Sequence, residues 1–122
     1  MTTIELLKKI YSDFEAVPPN LHPEFKLHSP GQSPVAGEFD GLDGLMAHLS
    51  QMQELSGNTM KLEPQSFLAD EQWGMVVSRI TAERDGKRLD MPGFGLWRFQ
   101  DGKLIDHWES VSNQARWDDF WS

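Results

Sequence analysis

The sequence predicts an α+β domain in which helices cover one face of a curved antiparallel sheet. Three observations carry this. Apolar residues recur at helical spacing in two segments before residue 55, they alternate from 59 to about 111, and two Asp-Gly pairs separate the later alternating runs. Helices seated in the concave side of such a sheet leave a cone whose interior suits a small ligand.

The first helix starts at a capping box, Thr2-x-x-Glu5, and places Ile4, Leu7, Tyr11 and Phe14 on one face. Pro18-Pro19 is expected to end it, and Phe25 to His28 alternates like the start of a strand. Ser29 to Gly41, with its prolines and glycines, predicts a structured loop. A second helix is expected over 42–54, where Leu42, Leu45, Met46, Leu49 and Met52 form a stripe and Ser56-Gly57-Asn58 stops it. Thr59 to Leu68 reads as a strand whose Pro64 marks an edge or bulge. The strands 73–84, 88–99 and 103–111 follow as a meander turned at Asp85-Gly86 and Asp101-Gly102. The tail from Asn113 keeps Ala115, Trp117, Phe120 and Trp121 for docking.

Composition narrows the function. A chain of 122 residues suits one domain, spanning 1–122. With 11 basic against 19 acidic residues, neither nucleic acid nor an acidic membrane surface is an expected partner. The net charge of −8 is spread along the chain and reads as solubility chemistry. The absence of cysteine removes disulfides, thiolate nucleophiles and Cys-based zinc sites. The N-terminus has no basic region followed by an apolar stretch, so a soluble, cytoplasmic protein is expected. Four of the five tryptophans lie after residue 90, and these aromatics suit a pocket wall and a dimer surface.

Certain stretches carry more than pattern. His28-Ser-Pro-Gly-Gln-Ser-Pro-Val-Ala-Gly37-x-x-x-Gly41, the hairpin Thr81 to Asp90, the run Leu96-Trp-Arg-Phe-Gln-Asp-Gly-Lys-Leu-Ile105, and the ending His107-Trp-Glu with Asn113-Gln-Ala-x-x-Asp118-x-Phe-Trp121 resemble the SnoaL-like, polyketide-cyclase-like branch of the nuclear transport factor 2 superfamily. The resemblance covers nearly the whole chain. It implies a cone-shaped fold, commonly dimeric through the outer sheet face, that hosts ketosteroid isomerase, cyclases, dehydratases, epoxide hydrolases and non-catalytic binding modules. Fold alone does not choose among these.

By the same resemblance, His107, Glu109 and Val111 look inward, as do Gly93, Gly95, Trp97 and Phe99 and, on the preceding strand, Val76, Ser78, Ile80 and Ala82; Asp106, Trp108 and Ser110 look outward. His28 falls where ketosteroid isomerase places its base, and an imidazole there can serve as base or acid near neutrality, or simply hydrogen-bond at the pocket rim. Asn113 stands where related cyclases carry a catalytic aspartate, and an amide can orient a substrate but not take its proton. Gly95 stands where the isomerase keeps a protonated aspartate, which disfavours steroid isomerisation. Tyr11 matches the isomerase's oxyanion-hole tyrosine, or is a core residue with a wet hydroxyl. The expected inward polar set is therefore His28, His107 and Glu109, with Tyr11 and Asn113. Glu109 is either the base or the partner of a histidine. The histidines lack metal-ligand spacing, so no metal is expected. No cofactor is called for either, since Gly37-x-x-x-Gly41-x-x-Gly44 lacks the strand and Lys-Ser/Thr of a phosphate loop. Two readings remain open: a proton-transfer enzyme acting on an apolar, carbonyl-bearing or cyclic substrate, and a non-catalytic ligand-binding or dimerisation module.

Overall fold

A computed structural model describes all 122 residues. Helix α1 (Thr3–Ser12) is capped by Thr2, whose side chain accepts from the Glu5 amide, and buries Leu6, Leu7 and Ile10. A 3-10 turn (Phe14–Ala16) leads into a one-turn helix α2 (Val17–Asn20). Pro18 and Pro19 therefore do not end helical structure; they occupy the first turn of α2, where a missing N–H costs nothing. Strand β1 (Leu21–Ser29) follows, then β2 (Gly37–Asp40), helix α3 (Gly41–Leu55), strands β3 (Lys61–Ala69), β4 (Trp73–Arg84), β5 (Lys87–Gln100) and β6 (Lys103–Val111), and helix α4 (Gln114–Trp121).

The six strands form one sheet in the order β2-β1-β6-β5-β4-β3. The meander from β3 to β6 is antiparallel, and both Asp-Gly turns take the positive backbone angles that such hairpins need, with φ of 49° and 78° at Asp85 and Gly86 and 54° and 74° at Asp101 and Gly102. Two features depart from the sequence reading. β1 runs parallel to β6, pairing Leu27 with His107 and His28 with Trp108. Part of the loop expected before Gly41 is an edge strand, β2, antiparallel to β1. At four residues it is too short to show alternation.

The tail is a helix whose Trp117, Phe120 and Trp121 fall on one buried face; Ala115 stays exposed. The core lies in two clusters. One joins α1 to the sheet through Leu7, Phe25, Val76, Trp97 and Phe99. The other packs α4 against Ile80, Leu89, Met91 and Met52. α1 approaches the sheet at Gly74, where a Cβ would lie 2.5 Å from Leu7 Cδ1 and 3.1 Å from the Phe99 ring. No helix is long and apolar enough to cross a membrane.

Candidate functional site

A cleft of about 530 Å³ opens where the two clusters part, between α1, α3 and the concave face of the sheet. Twelve of its 16 lining residues are hydrophobic. The polar groups on its sheet wall come from alternate positions of β6, His107 and Glu109, which strand geometry places on the same face. Trp97 stands across from His107 in the ladder and Tyr11 reaches in from α1. A smaller side chamber of about 70 Å³ shares Tyr11, His107 and Glu109 and adds Ser78, Ile80, Gly93 and Gly95.

Tyr11 is fixed by its neighbours. Trp97 Nε1–H donates to its hydroxyl oxygen at 2.9 Å, which leaves the tyrosine's own O–H to donate elsewhere. Burial, reinforced by the charge of Glu109 and only partly offset by the Trp97 bond, pushes its pKa well above the ordinary tyrosine value. The hydroxyl stays protonated at any physiological pH. It packs over Gly95, where a Cβ would lie 2.8 Å from the tyrosine oxygen and 3.0 Å from His107 Cε1. A side chain of any kind at position 95 would displace the groups that define the site.

His107 stacks on Trp97 with ring centres 3.7 Å apart. Its Nδ1 donates to the Leu96 carbonyl at 3.0 Å, so Nε2 is the unprotonated acceptor. Burial, opposed by Glu109 and the Leu96 bond, lowers its pKa to about 4, so the ring is neutral at pH 7.

Glu109 meets a histidine that the sequence reading did not select. His48 Nε2, from α3, lies 2.6 Å from Glu109 Oε1. His48 is wholly buried, its ring 4.6 Å from that of Phe39, and its Nδ1 has no partner. Burial of Glu109 raises its pKa, but the bond and charge from His48, with help from His107, outweigh it and leave the net shift downward. The carboxylate is ionised, and His48 Nε2 is the donor of the pair. His48 lies three residues after Leu45 and four before Met52, so its place on the buried stripe of α3 was the available signal.

Three sequence expectations change. His28 does not reach the cleft. Phe25 and Leu27 point into the core, so His28 lies on the outer face, stacked on Trp108 at 4.7 Å, with Nε2 3.0 Å from Asp106 Oδ1 and Nδ1 3.3 Å from Glu38. Asp106 also binds Arg98, and although its burial works against ionisation, the His28 and Arg98 bonds hold its pKa below the usual carboxylate value. Asn113 is a helix cap: its side chain accepts from the Arg116 amide at 3.1 Å, and it lines neither cavity. Phe99 belongs to the core beneath α1 and lines neither cavity. Tyr11, Trp97, His107 and Glu109 do converge on the cleft, while Ser78, Ile80 and Gly95 line the side chamber.

Comparison with known proteins gives a consistent family signal. A family profile described as a SnoaL-like domain matches residues 11–107. The uncharacterised protein Rv0034 of Mycobacterium tuberculosis is 27% identical over 101 residues, covering 82% of this chain and 77% of its own. Among solved structures, Bal32a from a soil-derived mobile gene cassette superposes with a TM-score of 0.89 at 27% identity, covering 97% of this chain and 95% of its own. A protein of unknown function with a cystatin-like fold from Xanthomonas campestris superposes at 0.88 with 23% identity, covering 100% and 99%.

Proposed function

The chain belongs to the SnoaL-like domain family, and from that premise we propose that it is a proton-transfer enzyme acting on an apolar, carbonyl-bearing or cyclic small molecule in the cleft. One observation carries the reading. A hydroxyl with its O–H free to donate, Tyr11, and an ionised carboxylate, Glu109, line the same mostly apolar cleft. That is the pairing needed to remove a proton beside a carbonyl while the developing negative charge is stabilised on oxygen.

In this mechanism the substrate oxygen accepts from Tyr11 and Glu109 takes the proton. His48 holds the carboxylate in place and in its charged form. Neutral His107 offers Nε2 as an acceptor that orients a hydroxyl of the substrate. The test begins with thermal stabilisation by a panel of apolar ketones and phenols, followed by turnover of those that bind. Glu109→Gln is expected to lower the rate about 10²–10⁴-fold, and Tyr11→Phe about 10²–10³-fold, with binding largely kept. Unchanged rates in both variants would sink the assignment.

A second reading, a non-catalytic ligand-binding module, is favoured by the same 2.6 Å bond, because a carboxylate tied to His48 and held below its ordinary pKa is a weaker base. Ligand binding without turnover for every compound that binds would select it.

The outer sheet face supports a homodimer. Leu68, Met75, Leu96 and Trp108 form one row across four strands, with Leu68 61% and neighbouring Trp73 41% exposed, an apolar patch that a second copy would cover. Light scattering at micromolar concentration is expected to give twice the chain mass. A monomer would overturn this.

A further inference from the structure

The cleft discriminates by charge. None of its 16 lining residues is Lys or Arg, and its one charged group is Glu109. The other titratable groups facing that carboxylate are Tyr11, His107 and His48. Tyr11 could only add negative charge. His107 donates its one ring proton to the Leu96 carbonyl and is pressed against Trp97. His48 is wholly buried behind Glu109, spends Nε2 on that carboxylate and does not line the cleft. The most exposed apolar lining residues, Phe14, Met46 and Leu62, are 43–45% exposed.

We propose that this cleft admits uncharged or positively charged apolar ligands and rejects anions such as carboxylates, sulfonates and phosphates. This rests on the reading of the cleft as a small-molecule site and names the ligand class it takes. Bringing an anion within about 4 Å of the carboxylate, at the effective dielectric of a partly buried site, is worth roughly a thousandfold in affinity.

Two fluorescent probes of one ring system test it: N-phenyl-1-naphthylamine, which is uncharged, and 1-anilinonaphthalene-8-sulfonate, which adds a sulfonate. The uncharged probe is expected to bind at least about a hundredfold more tightly to the wild-type protein, and Glu109→Gln to shrink that ratio at least about tenfold. A second pair needs no variant: thermal stabilisation by 1-naphthylmethylamine, a cation, and none by 1-naphthoate, an anion. A sulfonate probe that displaces the uncharged one at comparable concentration, or a ratio unmoved in Glu109→Gln, overturns the charge rule while leaving the cleft a ligand site. Binding by none of the four probes overturns the ligand-site reading itself, and the charge rule with it.

Discussion

Glu109 and His48 join β6 to α3 through a 2.6 Å hydrogen bond in which the histidine is wholly buried and the carboxylate 22% exposed toward the cleft. The two residues lie 61 positions apart in the chain, so the bond fixes the distance between the sheet and the helix that faces it. It also sets the charge of the site. Glu109 is the one carboxylate in a mostly apolar lining that holds no Lys or Arg.

Breaking that pair from the histidine side leaves a buried carboxylate without its donor. His48→Leu is expected to cost about 3 kcal/mol at pH 7, with part of the loss recovered at acid pH, where the stranded carboxyl can take a proton. The double variant His48→Leu with Glu109→Gln is expected to be more stable than the single. Denaturant titrations of all three proteins decide this; a double variant no better than the single would show that the pair is not what His48 holds.

His107 makes stability depend on pH in a defined window. Its folded pKa of about 4 lies below the unfolded value of 6.5, so between these values the unfolded chain binds the extra proton. Stability is full above about pH 6.5 and falls by about 3 kcal/mol as pH drops toward 4. Glu109 acts lower down, since its folded pKa lies beneath its ordinary 4.5 and its contribution is lost only as pH falls through that folded value. Urea unfolding from pH 7 to 4 is expected to flatten in His107→Gln; an equally steep profile would remove His107 as the cause.

Gly95→Ala is expected to cost about 1–3 kcal/mol and to weaken ligand binding, because the new methyl would meet the Tyr11 oxygen at 2.8 Å and His107 at 3.0 Å. Thermal unfolding and probe titration read both effects. A variant that keeps wild-type stability and affinity would mean that Tyr11 is not seated on the glycine backbone.

Asn113→Ala is expected to cost about 1 kcal/mol, the worth of a lost helix cap, and to leave probe affinity in the cleft unchanged. His28→Gln is likewise expected to leave that affinity unchanged, since His28 lies on the opposite face of the sheet with Asp106 and Trp108. A tenfold loss of affinity in either variant would contradict the site as drawn.

Much of the fold was legible because its periodicities are local. The hairpins at Asp85-Gly86 and Asp101-Gly102 follow from turn chemistry within neighbouring residues, and alternation puts His107 and Glu109 on one face, while the inward direction of that face comes from the family resemblance. The family resemblance places His28 at the cleft, and its own strand places it on the outer face. Phe25 and Leu27 are 1% and 0% exposed, and alternation from them sends His28 outward. The parallel pairing of β1 with β6 joins segments about 80 residues apart, and no local pattern encodes it. The resemblance makes Asn113 a residue that orients substrate, but its sequence context, three residues before Arg116 and four before Trp117, is that of a cap on an amphipathic helix. The bond between His48 and Glu109 needed the packing of α3 on the sheet to be seen.

The central claim is that Glu109 removes a proton from a bound carbonyl compound. Incubating the protein in D2O with the apolar ketones that stabilise it, and following deuterium at the carbon beside the carbonyl by mass spectrometry, tests it most directly. The account predicts exchange catalysed by the wild-type protein and slowed about 10²-fold or more in Glu109→Gln. Ketones that bind without any catalysed exchange, or exchange undiminished in Glu109→Gln, would contradict it.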